Sequence, residues 1–279
     1  MIYFGARGHD VDFDGTPDGL AAALAVQGAR CVQFAPGKLF PDLPCGEREI
    51  NPGYGMMMRR ALASRGVDIA VLGCYINMIH QDPVVREALL RRFEAYLRHA
   101  RYFGAPIVAS ETGSVIEPLG VYTTDNFTEA AYMEVLSSVR RLVAVGERHH
   151  TFVGIEPGRN HPIHDLDTVE RLLNDVDSEW LCIVLDPAVL IDGTDYQGEP
   201  ALVEEAFSRF GDRIHAMHLK DFRPRPDGDE LEMTDIGDGV MDVEGILRLV
   251  AKHRPYLPVI TERTHGDRIG ATIRRYGNI

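Results

Sequence analysis

Four residues in the second half of this sequence follow or close short apolar runs at regular spacing. Glu156 follows 151–155 (TFVGI), and Asp186 follows 181–185 (LCIVL). His218 sits at the end of 213–219 (RIHAMHL), and Glu262 follows 257–261 (LPVIT). The intervals are 30, 32 and 44 residues. Three carboxylates and one imidazole brought to one place repel unless a cation joins them. That donor set suits a single divalent ion, Mn²⁺ first, with Mg²⁺, Co²⁺ or Zn²⁺ as alternatives. Lacking thiolates, such a site would be open to substrate oxygens rather than closed and structural. Each acidic residue alone reads more readily as a loop residue or cap, and Asp186-Pro187 can simply open a turn. It is the coincidence over four successive runs that points to a metal. His215 and His218 are three apart and face opposite sides of a strand. His218 shares its side with Lys220 and is read as inward, His215 as outward.

Further candidates lie at or just after the same kind of run. His161, Lys220, Arg223, Arg263 and Tyr75 can bind substrate hydroxyls or a terminal charge. Glu111, within Ser-Glu-Thr-Gly-Ser, either supports the centre or fixes the turn that follows. The plainer reading of the basic residues is surface charge or helix-dipole partners.

The elements that must position these residues alternate along the chain. Strand-like runs occupy 2–5, 30–34, 67–73, 105–110, 151–155, 181–185, 213–219 and 257–261. They are continuously apolar rather than alternating, as expected of parallel strands covered on both faces. Between them lie helical patterns. The clearest starts at Asp82-Pro83, a cap followed by a first-turn proline. It repeats apolar residues at Val85, Leu89, Phe93, Leu97 and Ala100, and stops at Gly104. A second spans 127–148 and a third begins at Asp242, with weaker ones at 16–28, 53–65, 165–176, 199–210 and 266–276. Met56, Met57 and Met58 read as core-facing filler on a helix.

Eight such units predict an α/β fold, a single (β/α)8 TIM barrel spanning 1–279. A doubly wound sheet is the rival. No GxGxxG follows the first run and no GxxxxGK[ST] occurs. In a barrel, function belongs at the C-terminal ends of the strands, where all the candidates lie. The stretch 222–241 is long for a connection of this kind and reads as a lid over that face.

A length of 279 residues suits about two average domains, or one barrel of about 250 residues. The net charge of −13 argues against nucleic-acid and anionic-membrane partners. The four cysteines form no CxxC pair, and no targeting segment or membrane-length apolar run is evident, so a cytoplasmic location is expected.

The chain resembles the sugar isomerase/epimerase superfamily with the xylose-isomerase-like barrel. That superfamily includes ketose 3-epimerases, inosose-processing enzymes and, more distantly, endonuclease IV. The resemblance rests on VGIEPGRNH (153–161), IVLDPAVLI (183–191), HAMHLKDF (215–222), DIGDGVMDVEGIL (235–247) and VITER (259–263). CYINMIHQDP (74–83) and ASETGS (109–114) are similar to a sugar phosphate isomerase/epimerase subgroup, and essentially the whole chain is covered.

The resemblance implies one divalent metal on Glu156, Asp186, His218 and Glu262. It also implies a metal-stabilised enediolate of a sugar or sugar-like polyol, with Glu156 and Glu262 as acid and base. The alternative is an inosose-type dehydratase, and more remote readings are a phosphodiesterase like endonuclease IV and a sugar-binding barrel without turnover. The epimerases usually carry a histidine shortly after the strand 6 aspartate; here Pro187, Ala188 and Val189 follow, and His161 is the substitute considered. The extra histidines of a trinuclear zinc site are missing at Glu111 and in 229–236. The implied partner is a small sugar or polyol, with homo-oligomers common in the family. Gly237-Asp238-Gly239 occupies a loop where barrels can bind phosphate, but Asp238 would oppose an anion there.

Overall fold

Each of the eight apolar runs forms a strand of one closed parallel barrel. The structure is a computed structural model that describes residues 2–226 and 230–279. In chain order the elements are β1 (Tyr3–Arg7), α1 (Pro17–Gln27), β2 (Cys31–Phe34), α2 (Pro36–Leu39), α3 (Pro52–Ala63), β3 (Asp68–Gly73) and α4 (Pro83–Phe103). They continue with β4 (Ile107–Glu111), α5 (Glu129–His149), β5 (Phe152–Glu156), α6 (Leu166–Val176), β6 (Leu181–Leu185) and α7 (Glu199–Phe210). The last are β7 (Ile214–Leu219), β8 (Asp221–Pro224), β9 (Leu231–Thr234), α8 (Val243–His253), β10 (Pro258–Thr261) and α9 (Asp267–Tyr276). The barrel order is β1-β10-β7-β6-β5-β4-β3-β2, so β5 stands diametrically opposite β1.

Local chemistry sets the helix ends. Asp82 accepts the amide hydrogens of Val84 and Val85 to start α4, and Gly104 ends it with φ +72°. Asp165 and Thr168 form a reciprocal capping box on α6. Asp242 caps α8 through Gly245, and the Glu244–Arg248 pair closes at 2.6 Å one turn on.

Strand uniformity has a packing cause. One face of the barrel wall meets the helices in the large core; the other fills the interior with a compact cluster. That cluster includes Cys31, Val71, Ala109, Cys182, Val184, Ala216 and Ile260. Two glycines belong to this level. A β-carbon on Gly5 would lie 2.5 Å from both the carbonyl oxygen and Sγ of Cys31. One on Gly154 would lie 2.8 Å from Ile107 and 3.0 Å from Ala109. Glu156 follows Gly154 by two residues on the same face and so stands just above this floor.

Two expectations need correction and a third gains detail. Only Met58 of the methionine triplet is buried; Met56 and Met57 are 54% and 48% exposed, because the apolar stripe of α3 also uses Ala61 and Leu62. The first strand continues past Gly5 to Arg7. The segment after β7 is not a plain loop: β8 and β9 pair antiparallel there, from Asp221 opposite Thr234 to Pro224 opposite Leu231. The central part of the expected lid, 227–229, lies outside the described residues.

Candidate metal centre

The four residues at successive strand ends converge. Glu156, Asp186, His218 and Glu262 are all buried, and one ligand atom from each lies within 4.8 Å of the others. The barrel explains this: the residues come from the C-terminal rims of β5, β6, β7 and β10, which are consecutive around the wall.

His218 is the hub. Its Nδ1 lies 3.1 Å from Glu156 Oε1, 3.1 Å from Glu262 Oε2 and 3.7 Å from Asp186 Oδ2. On the other side, Nε2 lies 2.5 Å from Oε1 of Gln33. An amide oxygen only accepts, so Nε2 carries the hydrogen and Nδ1 is the nitrogen turned toward the carboxylates. Gln33 is held in turn by donating its amide to the Tyr75 hydroxyl. A metal-binding histidine is ordinarily oriented by this kind of support behind the ring.

Asp186 serves two purposes. Its Oδ1 accepts the Ala188 amide at 3.0 Å and so opens the turn, as Asp-Pro suggested. Its Oδ2 is buried and makes no well-aligned hydrogen bond, although Lys220 Nζ lies 2.6 Å away. A buried carboxylate oxygen that faces an imidazole nitrogen and two further carboxylates, with one ammonium beside it, fits a divalent cation.

Glu262 has cations on several sides. Its Oε1 accepts from Arg7 Nη1 and lies 3.1 Å from Lys220 Nζ. Burial alone would raise its pKa, but Lys220, His218 and Arg7 hold it well below the carboxylate range. Burial pulls His218 down, yet the carboxylates of Glu156, Glu262 and Asp186 around it hold it well above the imidazole range. Lys220 follows the same pattern: Asp186, Glu262 and Glu156 outweigh burial and raise it. Glu111 moves the opposite way to Glu262. Burial first, then Glu156 beside it in register, push its carboxyl up.

A cavity of about 920 Å³ opens above the centre. Tyr75, Glu111, His161, Lys220 and Arg263 line it, together with the ligands Glu156 and Glu262. His161 is buried, and its Nδ1 donates to the Gly113 carbonyl at 2.8 Å, leaving Nε2 as an acceptor when the ring is neutral. Leu231 and Met233 of β9 contribute to the wall, so the hairpin overlies the centre.

Arg223 is not brought to this cavity. It is exposed on β8, and its Nε donates to the carbonyl of Asp238 at 2.7 Å; strand alternation turns it away from the side that Phe222 buries. His215 lies at the far end of β7, its ring edge-on to Phe152 with centroids 4.4 Å apart. The glycine-flanked loop around Asp238 is already filled. Asp221 accepts the amides of Phe222 and Met241 on Oδ1 and those of Gly237 and Gly239 on Oδ2, at 2.8–3.0 Å. The backbone hydrogens that would cradle a phosphate there hold the chain's own carboxylate.

Sequence reasoning missed Arg7, Asp10, Gln33 and Lys38. Arg7 forks onto Asp10 at 2.9 and 2.7 Å, and Asp10 Oδ2 accepts the Arg263 amide at 2.8 Å. The signal was present: an arginine just past the first run and a glutamine inside the second, on strands that should be buried on both faces, need a polar reason to be there.

Among the described residues no helix is long and apolar enough to cross a membrane. Residues 20–274 match the family model described as xylose isomerase-like TIM barrel. No curated protein sequence matches the chain. Among solved structures, a D-tagatose 3-epimerase-like protein superposes with a TM-score of 0.74 at 16% identity, covering 99% of this chain and 97% of that one. The probable 3-DHS dehydratase AsbF of Bacillus anthracis gives 0.74 at 15%, with 98% of each chain covered. The IOLI protein, solved with a zinc atom, gives 0.70 at 12%, covering 99% and 95%. At these identities the likeness is one of fold. Together with the family match, it assigns this chain to the xylose isomerase-like TIM-barrel family.

Proposed function

We propose that the protein is a metal-dependent isomerase or epimerase of a sugar or sugar-like polyol, built as a single barrel domain. The observation that carries this reading is the convergence of Glu156, Asp186, His218 and Glu262 on one buried point at the floor of the cavity. A divalent ion held by these four residues, Mn²⁺ in our reading, would supply Lewis acidity toward a carbonyl and its neighbouring hydroxyl. Glu156 and Glu262 line the cavity from strands three places apart around the rim. A proton taken by one is therefore returned by the other from a different direction, which is what inversion at a carbon α to a carbonyl requires. His161 accepts a substrate hydroxyl through Nε2, and Tyr75 and Glu111 offer further polar contacts. Leu231 and Met233 reduce the access of water from above.

Metal analysis of the purified protein, followed by deuterium exchange into a panel of ketoses and inososes, tests the reading. Bound metal with exchange at one carbon supports it; a metal-free protein without exchange overturns it. An inosose-type dehydratase is the second reading. Lys220, an ammonium beside the ligands Asp186 and Glu262, suits loss of a β-hydroxyl, and release of water from an inosose would favour it.

A further inference from the structure

The charged residues around the cavity divide by arc, and most are already matched. Arg7 is held by Asp10 and Glu262, and Lys220 by Asp186 and Glu262. Arg159 pairs with Asp192 at 2.5 Å, and Glu230 with Arg225 at 3.1 Å. Two lining cations, Lys38 and Arg263, form no ion pair among the described residues, although Lys38 is near enough to Glu111 to favour its charged form. Both are exposed to the cavity mouth rather than buried.

Their placement is shared. Lys38 follows β2 and Arg263 follows β10, the two strands that flank β1. The ammonium of Lys38 rests over the ring of Tyr75, 4.2 Å from its centroid, which keeps it beside the cavity wall. Arg263 adopts φ +57°, a conformation unfavourable for a side-chain-bearing residue. It is held there by the bond from its amide to Asp10, itself clamped by Arg7. Directly across the barrel, Glu111 and Glu156 close β4 and β5. On the β10–β1–β2 side Asp10 and Glu262 are taken up by Arg7 and Lys220, so the positive charge left over in the cavity lies there, while the carboxyls of Glu111 and Glu156 lie on the β4–β5 side.

We propose that Lys38 and Arg263 form an anion subsite, and that the substrate is an acidic sugar or polyol whose carboxylate or phosphate points to the β10–β1–β2 side. This rests on the isomerase reading for its reaction, but not for its binding. The loop around Asp238 cannot be the anion site, because Asp221 fills it.

Isothermal titration of the Mn²⁺-loaded protein with D-fructose, D-fructuronate and D-fructose 6-phosphate tests the subsite. At least one charged probe is expected to bind about tenfold more tightly than D-fructose. That advantage should shrink as salt is raised, and the preferred charged probe assigns carboxylate or phosphate. Lys38→Met and Arg263→Met should each cut the charged-to-neutral ratio severalfold. Arg223→Met, outside the cavity, should leave it unchanged. The subsite is overturned if no charged probe outdoes D-fructose, or if the ratio survives both cavity substitutions. Deuterium exchange separates the two ideas. Charge-selective binding without exchange from any probe removes the isomerase reading and keeps the subsite. Exchange from D-fructose without charge selectivity does the reverse.

Discussion

Glu262 and Glu156 are ligands of the same kind at equivalent strand ends, yet their surroundings are opposed. Glu262 touches Arg7, Lys220 and His218; Glu156 touches His218 and lies in register beside another carboxyl, Glu111. Two residues that look interchangeable in sequence therefore carry different electrostatic duties. The β10 side binds its carboxylate into an ion network. The β5 side leaves its own comparatively free and crowds it with like charge.

The largest effect that could break this contrast is Glu262→Gln. It removes one of the two countercharges from each of Arg7 and Lys220, leaving Asp10 and Asp186 in place, and should cost about 1.5–3 kcal/mol in urea unfolding. Metal content should fall with it. Equal destabilisation by Glu156→Gln would dissolve the distinction. Glu156→Gln should instead fold nearly as well and, with metal supplied to saturation, lose about 10²–10⁴-fold in α-proton exchange; substantial residual exchange would deny it the base role. Next is Gln33→Met, which removes the acceptor behind His218 Nε2. Competition with a chelator should show metal affinity down by about 10–100-fold, and unchanged affinity would mean that Gln33 does not orient the ring.

The smallest effect concerns pH. Glu111 has a raised carboxyl, so the stability it supports is present in acid and is lost as pH rises through its folded pKa. Glu111→Gln should therefore raise the melting temperature at neutral pH, with the gain fading in acid. Glu262 has the reverse sign: its contribution is full above the ordinary carboxyl range and disappears as pH falls through its depressed value. A variant at Glu111 that gains nothing at neutral pH would remove the like-charge half of the comparison.

Much of the architecture was legible because one physical fact governs it. Strands covered on both faces must be continuously apolar, so the polar residue that ends each run stands out, and four such ends converge as three carboxylates and an imidazole. Arg7 escaped because it lies past a run read as too short, and Gln33 because it lies inside one read as uniformly apolar; their partners, Asp10, Glu262 and His218, lie on other strands or loops. Asp221 carries no signal of its own in the sequence, because its four amide partners are scattered over 222–241 and only folding collects them. The β8–β9 hairpin carries two prolines, Pro224 and Pro226, at and beyond the end of its first strand, which hid the pairing.

The glycines of the barrel floor bear on how such a protein can change over time. At Gly5 and Gly154 even a methyl group would collide with the neighbouring strand, so these two positions are closed to mutational drift. The rim above them is different: Lys38, Arg263 and Tyr122 are partly or wholly in solvent and can be exchanged without touching the floor. Substrate preference can therefore diversify on a scaffold whose lower half has almost no freedom to follow.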